Sequence, residues 1–213
     1  MNFLAHCLIA AQSTDPEEPD LVAGGFLGDF VKGPIGPELP PGLALGVRLH
    51  RRIDAFSNRH PAIQGSCNRF AGPLRRLAPV LVDIIADHCL AKHWEQFSNE
   101  PIAAFTARTY DRIASHERWL PDHGHRFLSY MRDEDLLAGY ARFEAMHRAL
   151  CSVTRRLDRE HLNADMLSAT EANLPGLEAD FLGYFPELVA HARQWLRDEG
   201  PPPGPQTPGT VQR

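Results

Sequence analysis

The chain has 213 residues, of which 43% are hydrophobic and 23% charged, and its formal net charge is −5. This length and composition fit one soluble globular domain with a real core, and the acidic balance argues against nucleic acid as a partner. No apolar run approaches the about 18 residues of a membrane span, the start lacks the basic residues of a secretory signal, and the four cysteines form no CxxC pair, so a cytoplasmic protein with reduced thiols is expected.

The first two elements in chain order are predicted helices with one ionisable residue each. Apolar residues at helical spacing predict a short buried helix over residues 2–12, with His6 at its centre. A second helix is predicted over residues 21–33 and carries Asp29. Its three glycines each cost about 1 kcal/mol relative to alanine in a helix interior, which indicates close packing against another helix.

The third predicted helix, over residues 42–59, places a histidine and a carboxylate on one face. His50 and Asp54 are spaced i, i+4, a spacing that two metal ligands on one helix often use. A neutral histidine and an aspartate at this spacing can also simply hydrogen-bond to each other, and the sequence leaves both interpretations open. A short helix over residues 61–71 is predicted to follow.

The helix predicted over residues 79–96 is the most apolar part of the chain, yet it contains several ionisable groups. Asp83 and Asp87 are four residues apart and therefore lie on one face, and His88 lies about 100° further round. An unpaired charge among so many apolar residues would be costly, so a metal ion or a cationic partner must compensate these carboxylates.

The second half of the chain is also predicted to be helical, with Pro175 opening a last helix that Pro186 kinks or restarts. No alternating strand pattern appears, so we expect an all-α, single-domain helical bundle over residues 1–199. The Pro/Gly-rich tail, residues 200–213, is predicted to be disordered. The other predicted helices cover residues 101–120, 122–131, 134–150 and 155–172.

Imidazoles and carboxylates on apolar helices favour metal chemistry. A mixed His and Asp set suits Mn²⁺, Mg²⁺ or Fe²⁺ better than structural zinc. The chemistry expected of such a set is attack of a metal-activated water on an ester or phosphoester, since neither a G-x-S-x-G elbow nor a cysteine with a neighbouring base is present. The candidate residues are His6, Asp29, His50, Asp54, Asp83, Asp87 and His88.

A basic stretch covers residues 48–76, where seven arginines stand against one acid, Asp54. These arginines either form a docking patch for an anionic partner or are scattered, solvated side chains on helix surfaces.

Four segments, MNFLAHCLIA, GFLGDFVKG, LHRRIDAF and APVLVDIIADHCLAKHW, resemble the successive motifs of the acyl carrier protein phosphodiesterase family over residues 1–97. The resemblance implies a divergent member of the His-Asp phosphohydrolase superfamily, an all-helical fold built around a divalent metal. It further implies hydrolysis of holo-acyl carrier protein to the apo form with release of 4′-phosphopantetheine, Mn²⁺ as the favoured metal, and a place in fatty acid biosynthesis.

The resemblance also implies roles for individual residues. Asp29 and Asp87 would be catalytic, and the adjacent Asp87-His88 pair reverses the superfamily's His-Asp order. Lys32 or Arg51 would bind the phosphodiester oxygens. The metal ligands would be drawn from His6, Asp29, His50, Asp54, Asp83, Asp87 and His88, and an arginine patch that includes Arg48, Arg52 and Arg59 would steer in the acidic carrier protein.

Two other functions remain compatible with the sequence. A metal-dependent phosphohydrolase acting on a nucleotide or another small phosphoester would need the metal residues but not the arginine patch. A helical protein that binds the carrier protein without cutting it would keep the arginines and tolerate alanine at Asp29, Asp87 and His88.

Overall fold

The computed structural model describes residues 1–199, so the predicted disorder of residues 200–213 lies outside the described residues. Within residues 1–199 the chain contains α-helices and short 3-10 turns but no strand, which confirms the all-α fold class. None of these helices is long and apolar enough to cross a membrane. The helices are α1 Phe3–Gln12, α2 Pro19–Leu27, α3 Pro41–Ser57, α4 Pro61–Asn68, α5 Ala78–Lys92, α6 Ile102–Ser115, α7 Asp122–Asp133, α8 Leu136–Gly139, α9 Phe143–Arg156 and α10 Asn163–Glu199.

Helix α5 lies at the centre of the molecule. It contacts α1, α4, α8, α9 and α10, and every residue from Ile84 to Ala91 is buried. A helix that is apolar on all sides is stable only when other elements surround it, which explains its central place. Pro79 occupies the first turn, where its missing N–H costs no hydrogen bond.

Helices α2 and α3 pack backbone against backbone at a pair of glycines. A Cβ added at Gly24 would lie only 2.8 Å from the Cα of Gly46, so neither position has room for a side chain. This confirms that the glycines of the second predicted helix serve close packing. The close approach brings the end of α2 against the face of α3 that carries His50.

Helix α2 is shorter than the sequence pattern predicts, and this changes the setting of Asp29. The helix ends at Leu27, and the N–H groups of Phe30 and Val31 both bond to the carbonyl of Leu27, which tightens the chain into a turn. Asp29 therefore lies in a turn after α2 rather than on the helix. Gly28 begins this turn, and its lack of a side chain leaves room for the imidazole of His50.

The C-terminal half differs from the sequence prediction in three places. The helix predicted over residues 155–172 is interrupted between the end of α9 at Arg156 and the start of α10 at Asn163. The predicted helix over residues 134–150 is divided into α8 and α9, whereas Pro175 and Pro186 both lie inside the continuous helix α10. An interior proline costs about 3 kcal/mol. Burial of the apolar stripe of α10 against α3, α4 and α5 offsets this cost, because tertiary packing contributes most of a helix's stability.

Candidate functional site

Two helices bring two histidines and one aspartate into contact. Nε2 of His6, on α1, lies 3.1 Å from Oδ1 of Asp54, and Nε2 of His50 lies 3.3 Å from Oδ2 of the same carboxylate. The two imidazole rings stack with their centroids 3.8 Å apart. One ligand atom from each residue can be chosen so that all three lie within 4.8 Å of one another, the arrangement of a metal site. We refer to His6, His50 and Asp54 as the His-His-Asp cluster.

The orientation of His50 is fixed by a backbone carbonyl. Its Nδ1 lies 2.8 Å from the carbonyl oxygen of Gly25, which can only accept a hydrogen, so Nδ1 carries the proton. In the neutral ring, Nε2 then presents a lone pair to the carboxylate of Asp54. Two acceptors face each other there, and only a cation between them, either a proton or a metal ion, makes the contact favourable. A histidine that binds a metal typically donates its other N–H to a carbonyl in this way.

His6 is a buried, neutral imidazole. Burial and the neighbouring charge of His50 lower its pKa to about 3, so the ring keeps a lone pair available at neutral pH. Its Nδ1 is buried and has no hydrogen-bond partner within residues 1–199. Although burial alone would raise the pKa of the Asp54 carboxyl, hydrogen bonds from His50 and His6 hold it well below its usual range. The bond from His50 requires a proton on Nε2, which is the cation that fills this contact when no metal ion does. The cluster thus offers an ionised carboxylate beside an uncharged imidazole.

A cationic group already occupies the space between two carboxylates of the site. The amino group of Met1 lies 3.2 Å from Oδ1 of Asp54 and 3.2 Å from Oδ1 of Asp83. Burial disfavours the charged amine, but Asp83 and Asp54 raise its pKa to about 10. Asp83 therefore has the cationic partner that its apolar surroundings require, and it borders the His-His-Asp cluster through Asp54.

Asp87, one turn further along α5, binds backbone groups. Its two carboxylate oxygens accept hydrogen bonds from the N–H groups of Leu4 and Ala5, each at 2.9 Å. These are donors in the first turn of α1 that have no partner within the helix. Burial raises the pKa of the Asp87 carboxyl to about 7, against the effect of these two bonds. The structure thus places Asp87 as the side chain that satisfies and anchors the start of the helix carrying His6.

His88 faces a different part of the molecule. Its Nδ1 bonds to the carbonyl of Tyr140 at 2.7 Å, and its ring lies near Phe143 at the start of α9. The structure therefore brings together His6, His50, Asp54 and Asp83, while Asp87 and His88 are engaged with the backbone of α1 and with the segment before α9.

The turn after α2 places Asp29 beside the cluster. A Cβ added at Gly28 would overlap the imidazole of His50, 2.7 Å from its Cβ, so the turn packs directly on that ring. Burial raises the pKa of the Asp29 carboxyl above its ordinary value, while the charges of His50 and Lys32 oppose the increase. The charges of Lys32 and Asp54 are thus close enough to Asp29 to shift the pKa of its carboxyl.

The predicted arginines of α3 differ in their contacts. Nη2 of Arg51 donates to the carbonyl of Val31 at 3.0 Å and so holds the turn that carries Asp29. Arg48 and Arg52 are exposed, and neither forms an ion pair with another residue of the described chain. Further along the basic stretch, Arg69 is paired with Asp180 of α10 at 3.0 Å.

A cleft of about 590 Å³ starts at Asp29 and extends over α7, α8 and α9. Sequence reasoning missed it, because the arginines that line it fall outside the basic stretch. The signal that could have found it is a helical periodicity of small and basic residues along α9. The lining positions on and just before this helix are Arg142, Ala145, Arg148, Ala149, Ser152, Arg155 and Arg156.

Comparison with known proteins identifies the family of the chain. The sequence model of the family described as acyl carrier protein phosphodiesterase matches residues 1–188. The acyl carrier protein phosphodiesterase of Salmonella dublin is 31% identical over 196 residues, which cover 90% of this chain and 97% of that protein. Those of Escherichia coli O6:H1 and of Escherichia coli strain K12 are each 30% identical over 198 residues, with the same coverage. No solved structure shows a significant match. The chain belongs to the acyl carrier protein phosphodiesterase family.

Proposed function

We propose that this protein hydrolyses the phosphodiester bond that joins 4′-phosphopantetheine to the serine of holo-acyl carrier protein, giving the apo form. The names of its relatives supply the substrate class. The observation that carries the proposal is the orientation of His50. Because its Nδ1 donates to the carbonyl of Gly25, Nε2 can meet the Asp54 carboxylate 3.3 Å away only with a proton or a metal ion between them. A site in that state is suited to a divalent cation.

The proposed ligands are His6, His50 and Asp54. The proposed ion is Mn²⁺, as the family resemblance implies, and two imidazoles with one carboxylate are also compatible with Fe²⁺ or Mg²⁺. A divalent ion held there would supply positive charge to the phosphoryl oxygens and lower the pKa of a nearby water. The features of this chain that support a bound cation are the Nε2 atoms of His6 and His50, which both face the Asp54 carboxylate.

Asp29 is the proposed general base. It lies in the cleft where substrate would enter, and burial raises its pKa toward the range in which a carboxylate can accept a proton from attacking water near neutral pH. Lys32, whose positive charge lowers the pKa of Asp29, is exposed and can pair with a phosphodiester oxygen. Arg51 positions Asp29 through its bond to the carbonyl of Val31.

We assign positioning rather than ligand roles to the polar residues of α5. Asp87 accepts hydrogen bonds from the first turn of α1, and it thereby fixes the position of His6 relative to His50 and Asp54. Asp83 lies against the Met1 amine, and His88 bonds to Tyr140. Each oxygen of the fully buried Asp87 carboxylate already accepts a backbone hydrogen bond, so the structure gives this side chain a role in holding α1.

The experiment is a mass measurement of purified holo-acyl carrier protein after incubation with this protein, with Mn²⁺ or with a chelator. We expect metal-dependent loss of the phosphopantetheine mass. The Asp29→Asn variant should lose at least about 100-fold in rate, the range of a general base. Asp111→Asn is the matched control, because Asp111 is 78% exposed on α6 and only weakly paired. Retention of the prosthetic group with every divalent ion tested would contradict the proposal.

A further inference from the structure

The cleft that contains Asp29 is lined by aromatic and basic side chains that have no role in the proposed hydrolytic step. Aromatic side chains line it together with several residues on or just before α9. Tyr130, on α7, is 51% exposed and is one of only two large apolar side chains with that exposure in the described part of the chain. The aromatic lining residues are Phe3, Phe30, Phe127, Tyr130 and Tyr140.

The cleft is also strongly basic. Four exposed arginines line it, against the carboxylates of Glu134 and Asp29. Within residues 1–199 none of the four forms an ion pair; Arg48 and Arg52 of α3 are likewise unpaired, but they do not line the cleft. We refer to the four as the α9 arginines: Arg142, Arg148, Arg155 and Arg156.

Unpaired arginines are costly to cluster, because like charges repel one another. Binding of an anionic partner neutralises this repulsion, so a cluster of unpaired arginines favours an acidic binding partner. Asp29 and these four arginines line the same cleft, so an extended ligand that reaches Asp29 through the cleft would bring whatever carries it near α9. A linear, amide-containing arm attached to an acidic protein has this shape and charge.

Resting on the proposed function, we propose that the cleft receives the pantetheine arm of the substrate, and that the α9 arginines dock the acidic surface of the carrier protein. The aromatic walls cover the apolar parts of the arm. The arginines add electrostatic attraction, which increases the association rate and selects for acidic partners. This places docking on α9 rather than on Arg48, Arg52 and Arg59 of α3, which are separate from the cleft lining.

The test is binding of fluorescently labelled holo- and apo-acyl carrier protein, measured by anisotropy with chelator present so that no turnover intervenes. Reversal of Arg148, Arg155 and Arg156 to Glu should raise Kd by about tenfold or more at low salt, and the difference should shrink as NaCl screens the charges. The matched control reverses Arg48, Arg52 and Arg59 to Glu and should stay within about twofold of wild type.

A second variant tests the path of the arm. Ala149→Trp fills the cleft beside α9 without changing charge, and it should reduce the affinity for holo-acyl carrier protein to that for the apo form. Circular dichroism confirms that each variant is folded. Wild-type affinity in the α9 triple variant, or an unchanged preference for the holo form in Ala149→Trp, overturns the inference even where hydrolysis is intact. Loss of hydrolysis with tight, α9-dependent binding would instead overturn the proposed function alone.

Discussion

Nε2 of His50 faces Oδ2 of Asp54 at 3.3 Å while its Nδ1 donates to a backbone carbonyl. The two residues are one helical turn apart on α3, so the contact depends on a short stretch of rigid backbone. The imidazole is held from the side opposite Asp54, which leaves little freedom for Nε2 to turn away. This relationship is the basis of the metal site proposed for the chain.

The contact between the turn after α2 and His50 predicts a sensitive glycine. Gly28→Ala is compatible with the backbone, since φ is −54°, but the added methyl group would displace the imidazole. We expect metal affinity and hydrolysis to fall by about 10–100-fold, the usual cost of disturbing the support of a metal ligand. Metal titration and the holo-acyl carrier protein mass assay would measure it.

Gly65→Ala is the control for that substitution. Gly65 lies in α4 with open space around its Cα, so alanine should stabilise the helix by up to about 1 kcal/mol and leave activity unchanged. Equal activity of the Gly28→Ala and Gly65→Ala variants would show that the turn does not position His50.

Removal of the negative charge of Asp87 should affect stability. Asp87→Asn replaces one acceptor with an NH₂ group that meets a backbone N–H of α1, so a buried donor loses its partner. The expected loss is about 1–3 kcal/mol in the free energy of unfolding. In a chain of this size each kcal/mol lowers Tm by about 2–4 °C.

Thermal unfolding and Mn²⁺ titration of the same Asp87→Asn sample separate a structural role from a ligand role. We expect a lower Tm and a loss of Mn²⁺ affinity smaller than that in His50→Ala, since Asp87 positions the helix that carries His6 but is not a proposed ligand. An unchanged Tm with lost metal binding would place Asp87 among the ligands.

The four thiols should divide into two classes. Cys7 and Cys89 are buried, and burial raises the pKa of the Cys89 thiol to about 12, so neither supplies thiolate to a reagent in the folded state. Cys67 and Cys151 are partly exposed. Iodoacetamide followed by peptide mass analysis should label these two in the native protein and all four in denaturant; rapid native labelling of Cys7 would contradict the packing of α1.

Much of the site could be predicted because its residues lie on strongly periodic helices. The spacing of His50 and Asp54 fixes a shared face whatever the rest of the fold does, and the face shared by Asp83 and Asp87 is confirmed too. Periodicity does not identify the groups that this helix face contacts. Asp83 meets the Met1 amine and Asp87 meets backbone N–H groups of α1, partners that no residue pattern in α5 specifies.

Two other features depend on tertiary packing. Asp29 was expected on a helix, but the chain turns after Leu27 where Gly28 packs against His50. Pro175 and Pro186 carry strong local signals for helix ends, and the buried stripe of α10 overrides both. The basic cleft is assembled from α1, the turn after α2, α5, α7, α8 and α9, so only its α9 periodicity is visible in the sequence.

The most direct test of the central claim is Mn²⁺ binding by calorimetry to the wild-type chain, to His50→Ala and to His161→Ala, a control at an exposed histidine outside the cluster. The account predicts that wild type and His161→Ala bind Mn²⁺ alike, and that His50→Ala binds at least about tenfold more weakly. Equal Mn²⁺ affinity in all three proteins would contradict a metal site at His6, His50 and Asp54.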